Sequence, residues 1–175
     1  MTAATTDAKT KTGPTMNATD LFAVAAEPMK KWTAASLAIA SSLDPELVRL
    51  VEIRASQING CANCINMHAA DARGHGETEQ RIYLLSAWRE APCYSDRERA
   101  ALGWTDALTR LSEGEKLEDA REALKAQFSE EQQVKLTLMI NVINGWNRIS
   151  VGFGMFVDPA AAKSAAAKAT EKAAA

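Results

Sequence analysis

Helix start signals recur along this sequence, and they constrain its fold more than any other feature. Ser95 with Glu98, and Ser129 with Gln132, have the spacing of a capping box, in which a serine and an acid or amide three residues later satisfy the first amides of a helix. No stretch shows the sustained alternation of apolar and polar residues that is typical of a half-buried strand. The sequence therefore predicts an all-α protein.

Further turn signals set the expected limits of the helices. Asp44 is a suitable N-cap, Pro45 fits the first turn that follows, and Asn59 with Gly60 stops that helix. The predicted helices cover residues 20–27, 29–42, 45–58, 61–73, 78–90 and 96–111, and a last one begins at 129. A chain of 175 residues with this pattern predicts a single helical domain.

The two ends of the chain differ in composition from the part between them. Residues 1–15 are rich in Thr, Ala and Lys and have no apolar run, so we expect a disordered arm and no signal peptide. Residues 159–175 form a low-complexity Ala/Lys tail without an apolar face. The helical domain is therefore expected over residues 16–158.

The stretch that carries chemistry is the C-x-x-C pair formed by Cys61 and Cys64, with His68 four residues later. In a helix that starts after Gly60, these three positions share one face. The free amides and the positive dipole at a helix N-terminus favour a thiolate, and a histidine nearby can take the thiol proton. A second cysteine can then attack a sulfenic acid and close a disulfide. The spacing favours thiol redox chemistry.

Other uses of the same residues stay open. A zinc site would need two more ligands, and Cys93, His68 and His75 are the candidates, although the sequence has no second C-x-x-C. Covalent haem attachment needs a histidine where Ile65 stands. Two cysteines in a helical core are a third alternative. We expect His75, which lies between two glycines, to be an exposed loop residue, and Cys93 to be a bystander thiol.

The segment LVEIRASQINGCANCINMHAADARGHGETEQRIYLLSAWRE resembles the core of the AhpD-like, carboxymuconolactone decarboxylase superfamily. The likeness covers about residues 16–104 and is densest at the signature N-G-C-x-x-C-x-x-x-H. It implies a single orthogonal helical domain that assembles as a homo-oligomer. For the alkylhydroperoxidase members it also implies that Cys64 attacks the peroxide, that Cys61 resolves the product, and that His68 and a glutamate relay protons.

The position of that glutamate departs from the family pattern. Founding members carry it twelve residues before the first cysteine, where this chain has Arg49. Glu52 lies nine residues before Cys61, one helical turn on from position 49, and can share its face. We therefore predict Glu52 as the relay acid, with an ordinary solvated glutamate as the alternative.

The last predicted helix is apolar on nearly every side, through residues Val134, Leu136, Leu138, Met139, Ile140, Val142, Ile143 and Trp146. Three asparagines interrupt it, and it is too short and too polar for a membrane span. It is either a central core helix or, as the resemblance also implies, a helix buried between the subunits of a homotrimer or homohexamer.

The expected function is a thiol-dependent peroxidase or disulfide oxidoreductase acting on a small hydroperoxide, with an unknown thiol or dithiol reductant. The alternatives are a carboxymuconolactone decarboxylase-type lyase, with His68 and Glu52 as acid-base groups, and a non-enzymatic dithiol redox sensor.

A net charge of −2 with mixed signs suggests neither a nucleic acid nor a membrane as partner. No glycine-rich phosphate loop is present, so we expect no cofactor. Three cysteines do not form a secreted disulfide framework, which favours the cytoplasm.

Overall fold

The computed structural model describes residues 18–114 and 117–156, and within these ranges the regular structure is helical. The α-helices are α1 (Ala18–Val24), α2 (Ala26–Ala40), α3 (Pro45–Ile58), α4 (Ala62–Gly74), α5 (Glu79–Leu84), α6 (Asp96–Thr109), α7 (Leu117–Gln127) and α8 (Glu130–Gly152). Short 3-10 turns follow α5 at Leu85–Ala87 and α6 at Leu111–Glu113. The all-α prediction is confirmed. The predicted arm at 1–15 and tail at 159–175 lie outside the described residues.

Side-chain caps start the helices where the sequence predicted them. Ser95 and Ser129 each form a complete capping box, with Glu98 and Gln132 respectively. The carboxylate of Asp44 accepts the Glu46 amide at 2.9 Å, with a proline in the first turn of α3. These local contacts fix the starts of α3, α6 and α8.

The core is built around α3, which packs against α4, α6 and α8. Leu50, Val51 and Ile53 of α3 are fully buried. The apolar side chains of α8 are divided between the core and the surface. Leu136, Met139, Ile140, Val142 and Ile143 are buried within the chain, whereas Val134 and Leu138 are exposed. A single chain therefore buries most of the apolar side chains of α8, as expected for a core helix.

Several helix boundaries differ from the predictions. The first break between helices falls at Ala25, whereas the prediction placed it after Glu27. That glutamate lies in the first turn of α2. The predicted helix 78–90 is shorter: α5 ends at Leu84 and continues as a 3-10 turn. The helix α7, Leu117–Gln127, was not predicted at all.

A buried charge cluster joins three parts of the fold. The carboxylate of Asp106 on α6 is fully buried and accepts two hydrogen bonds from Arg54 on α3, at 2.5 and 2.9 Å. Arg89 donates to it at 2.5 Å and the indole of Trp88 at 3.3 Å. Burial alone would raise the pKa of Asp106, but the hydrogen bonds and charges of the two arginines outweigh burial and lower it. This cluster ties α3 and α6 to the segment after α5.

No helix within residues 18–114 and 117–156 is long and apolar enough to cross a membrane. Three tryptophans contribute to the core: Trp88 and Trp104 are buried, and Trp146 packs against the cluster between α2, α3 and α8.

Candidate active site

The two cysteines lie at the N-terminus of α4, as the sequence predicted. Gly60 adopts a positive φ of 65° and turns the chain between α3 and α4. Cys61 is the N-cap of α4, and its sulfur accepts the amide of Cys64 at 3.3 Å. The two residues form a disulfide with their Cα atoms 5.3 Å apart. The pair is therefore present in its oxidised form at the positive end of a helix dipole.

Both cysteines are shielded from solvent, with 1 % of Cys61 and 3 % of Cys64 exposed. A groove of about 580 Å³ runs alongside the start of α4 and is lined by Ala62 and Ile65, the sequence neighbours of the two cysteines. Met67, which also lies on α4, is exposed outside this groove. A larger groove of about 850 Å³ between α6 and α7 is lined by none of the four predicted site residues.

His68 and Glu52 meet across the contact between α3 and α4. The Nδ1 atom of His68 lies 3.1 Å from Oε2 of Glu52, and the two side chains are 14 % and 17 % exposed. The alternative of an ordinary solvated glutamate therefore does not hold for Glu52. His68 is four residues after Cys64 on α4, so the imidazole and the second cysteine share one face of that helix.

Position 49, where the family pattern has its relay glutamate, has a different partner. Arg49 binds the carboxylate of Asp71 at 2.9 Å, one turn along from the Glu52 to His68 contact. In this chain the carboxylate that pairs with the histidine therefore comes from Glu52. The four predicted residues form two pairs, the disulfide of Cys61 with Cys64 and the contact of Glu52 with His68.

The other thiol and imidazole lie apart from these pairs. Cys93 is a free, partly buried cysteine in the turn before α6. His75 is exposed, as predicted, and its Nδ1 atom lies 2.9 Å from the carbonyl oxygen of Asp71. Among the residues that the structure describes, no group of three or more His, Cys, Asp and Glu side chains is placed to hold a metal ion.

Sequence reasoning missed a polar network behind the cysteines. Asn59, in the turn before Cys61, donates to Asn144 and Asn147 of α8 at 3.0 and 2.9 Å, and Asn147 donates to Ser56 at 3.0 Å. A signal was present, because asparagines recur three residues apart in an otherwise apolar helix. Their partners, 85 to 91 residues away in the chain, could not be identified from that spacing.

Fold and site define a class of all-helical proteins with a C-x-x-C pair at a helix start. The carboxymuconolactone decarboxylase family model matches residues 26–107. The uncharacterized protein YdfG of Bacillus subtilis (strain 168) is 46 % identical over 114 residues, which are 65 % of this chain and 78 % of YdfG. The chain belongs to the AhpD-like, carboxymuconolactone decarboxylase family.

Solved structures agree with this assignment. ATU0492 of Agrobacterium tumefaciens, a protein of unknown function for which an AhpD role in antioxidant defence has been suggested, is 42 % identical. It superposes with a TM-score of 0.77 over 83 % of this chain and 99 % of its own. The AhpD core of an uncharacterized peroxidase-related protein from Ralstonia eutropha JMP134 has a TM-score of 0.69 at 19 % identity, over 80 % of this chain and 75 % of that one, and shares the fold.

Proposed function

We propose that this protein is a thiol-dependent peroxidase, a disulfide oxidoreductase that reduces hydroperoxides with Cys61 and Cys64. The observation that carries the proposal is the disulfide at the start of α4, on the helix whose His68 pairs with Glu52. A reactive cysteine needs a base nearby and a second thiol to resolve its oxidised form, and we assign these roles to His68 and Cys61.

In the first step the thiol of Cys64 loses its proton to His68, and Glu52 stabilises the imidazolium that results. The thiolate attacks the distal oxygen of the hydroperoxide. An S–O bond forms, the O–O bond breaks, and the alkoxide or hydroxide that leaves takes up a proton to become an alcohol or water. Cys64 is then a sulfenic acid, oxidised by two electrons.

In the second step the thiolate of Cys61 attacks the sulfenic sulfur of Cys64. An S–S bond forms, the S–O bond breaks, and the hydroxide leaves as water after protonation. Cys61 is the N-cap of α4, where the amide of Cys64 points at its sulfur, and this favours the thiolate that the step requires. The product is the disulfide of the structure, which an external thiol or dithiol must reduce before another cycle.

Three reduced proteins test this sequence of steps: one with both cysteines, Cys61→Ser and Cys64→Ser, all carrying Cys93→Ser to remove the third thiol. Each receives one equivalent of cumene hydroperoxide, followed by intact mass measurement with and without a sulfenic acid trap. We expect the protein with both cysteines to lose two hydrogens and Cys61→Ser alone to give the trapped adduct. Unchanged thiols in all three proteins would contradict a peroxidase function.

A lyase of the decarboxylase type is the second candidate, because the shielded Glu52 and His68 pair also suits proton transfer at carbon. The double variant Cys61→Ser, Cys64→Ser separates the two functions. It abolishes peroxide reduction by the proposed mechanism, whereas a lyase that uses only the acid-base pair would retain its turnover of a lactone substrate.

We also propose that the protein assembles as a homotrimer or homohexamer and acts in the cytoplasm, where reducing thiols are available. Val134 and Leu138 of α8 support the assembly, because both are exposed and line a mainly apolar groove beside Trp104. Sedimentation equilibrium of the reduced protein tests it. A trimer or hexamer that Leu138→Glu dissociates would agree, and a monomeric wild type would not.

A further inference from the structure

The turn that carries Cys61 is anchored to α8 by a polar network. The Nδ2 atom of Asn59 lies 3.0 Å from Oδ1 of Asn144, 2.9 Å from Oδ1 of Asn147, and 3.0 Å from the carbonyl oxygen of Ala55. Only Gly60 stands between Asn59 and Cys61 in the chain. The contacts of one asparagine side chain therefore locate the backbone immediately before the first cysteine.

Asn147 holds this turn from two sides. Its Oδ1 atom accepts from Asn59, and its Nδ2 atom donates to the hydroxyl of Ser56 at 3.0 Å. Ser56 in turn donates to the carbonyl oxygen of Glu52 at 2.6 Å, and its own carbonyl oxygen accepts the amide of Cys61 at 3.0 Å. One side chain of α8 thus joins the backbone segments that carry the relay acid and the N-cap cysteine.

The burial of these groups makes their geometry specific. Asn147 and Ser56 are fully buried, and Asn144 is 7 % exposed. A buried amide or hydroxyl is costly when it loses a hydrogen-bond partner. Without Asn147, Asn59 loses one acceptor and the Ser56 hydroxyl loses the amide that donates to it. Fully satisfied networks of this kind fix one arrangement of the surrounding backbone.

We propose that Asn147 is a positioning residue for the dithiol, acting through Asn59 and Ser56 to hold Cys61 within reach of Cys64. The inference rests on the proposed function, which makes the pair redox-active. Without Asn147, Asn59 keeps only its contacts with Asn144 and Ala55, and the glycine at position 60 allows the less firmly held turn to move. Without Asn147 the Cys61 thiol spends less time beside Cys64, which lowers its effective concentration there.

The thiol-disulfide equilibrium measures this effect directly. We compare wild type, Asn147→Ala and Leu136→Ala after equilibration in graded ratios of reduced to oxidised dithiothreitol. We expect Asn147→Ala to lower the equilibrium constant for disulfide formation by about tenfold, which makes the reduction potential about 30 mV less negative. Leu136→Ala truncates a fully buried residue of the same helix that packs in the cluster between α3, α6, α7 and α8. It destabilises the fold and should leave the equilibrium constant unchanged.

A second variant covers the case in which Asn147→Ala does not fold. Ser56→Ala removes only the hydroxyl that Asn147 binds, and we expect it to shift the equilibrium in the same direction by a smaller factor. Both variants should also lengthen the lifetime of the Cys64 sulfenic acid that forms after peroxide addition, because Cys61 resolves it more slowly. Adding the trap at a series of delays measures that lifetime.

The inference is overturned if the foldable variants of Asn147 and Ser56 keep the wild-type equilibrium constant, or if Leu136→Ala shifts it equally. Failure of the proposed function has a different signature, because the equilibrium contains no peroxide. A wild type that forms the disulfide in dithiothreitol buffer but never oxidises with peroxide would contradict the peroxidase and leave the effect of Asn147 measurable.

Discussion

In the proposed mechanism, the contact between Glu52 and His68 determines how readily the thiol of Cys64 loses its proton. The two side chains lie 3.1 Å apart and are mostly shielded from solvent, so water screens their interaction less than it would at the surface. A carboxylate beside an imidazole stabilises the imidazolium that forms when the histidine accepts a proton. The proposed mechanism therefore assigns part of the rate of Cys64 oxidation to Glu52.

Replacing Glu52 by glutamine keeps the shape of the side chain and removes its charge. We expect the second-order rate constant for reaction with cumene hydroperoxide to fall by about 10- to 100-fold, at the lower end of what a general acid-base group contributes. Stopped-flow tryptophan fluorescence of the reduced protein measures that constant. Glu46→Gln, an exposed glutamate in the first turn of the same helix, is the control. Equal rates for the two variants would exclude Glu52 from the proton relay.

The sequence predicted the site residues that local spacing connects. Cys61, Cys64 and His68 belong to one helix start, so helical periodicity was enough to group them. Glu52 was inferred by one-turn geometry and does pair with the histidine. Asn147 was not identified, because its partners depend on how α8 packs behind α3, and no local rule determines a contact across 88 residues.

The helices α2 and α8 pack closely against each other at Gly145. A Cβ atom built on Gly145 of α8 would lie 2.7 Å from the indole ring of Trp32 on α2. Trp32 also packs against Trp146, with the ring centroids 6.0 Å apart. The glycine is therefore required for packing, although it sits inside a helix, where alanine is intrinsically preferred.

Gly145→Ala should accordingly destabilise the protein by about 1–3 kcal/mol, because the cost of overpacking exceeds the gain of up to about 1 kcal/mol in helix propensity. Urea unfolding followed by circular dichroism gives the difference. Gly152→Ala, at the end of the same helix with open space around its Cβ position, should be neutral or stabilising. A stabilised Gly145→Ala protein would show that Trp32 moves aside without cost.

The sequence predicted the helices that have strong start signals and missed α7, which lacks one. The capping boxes at Ser95 and Ser129 gave the starts of α6 and α8 correctly. In α7 the two leucines, Leu117 and Leu124, are seven residues apart and pack toward the core, so an apolar face was present in the sequence. Without a cap to mark its beginning, this short pattern was not recognised as a helix.

At the level of the whole molecule, stability depends on the buried charge cluster at Asp106. The side chain of Asp106 is fully buried, so its ionised form is stable only while Arg54 and Arg89 remain in place. Its pKa is lowered in the folded protein, so the unfolded chain binds this proton more readily. The stabilisation is fully present above the ordinary carboxyl pKa and is lost as the pH falls through the lower folded value.

We therefore expect Asp106→Asn to reduce the free energy of unfolding by about 3–5 kcal/mol at pH 7, since it leaves a buried arginine without its counter-ion. The difference from wild type should narrow as the pH is lowered below about 4, where the unfolded wild-type chain takes up the proton. Urea unfolding at a series of pH values tests both points. Asp96→Asn, an exposed acid in the first turn of α6, should change stability by less than about 1 kcal/mol. If the difference in unfolding free energy between wild type and Asp106→Asn stayed constant across the pH range, the titration of Asp106 would not be linked to folding.

Catalytic turnover is the property that separates a peroxidase from a sensor that oxidises once. Wild type and Cys64→Ser, both with Cys93→Ser, are mixed with a large excess of cumene hydroperoxide and dithiothreitol, and the remaining hydroperoxide is followed with time. We predict that the protein with both cysteines consumes many equivalents at a steady rate above the uncatalysed background, and that Cys64→Ser does not exceed the background. Consumption that stops at one equivalent, or that persists in Cys64→Ser, would contradict a Cys64-dependent peroxidase.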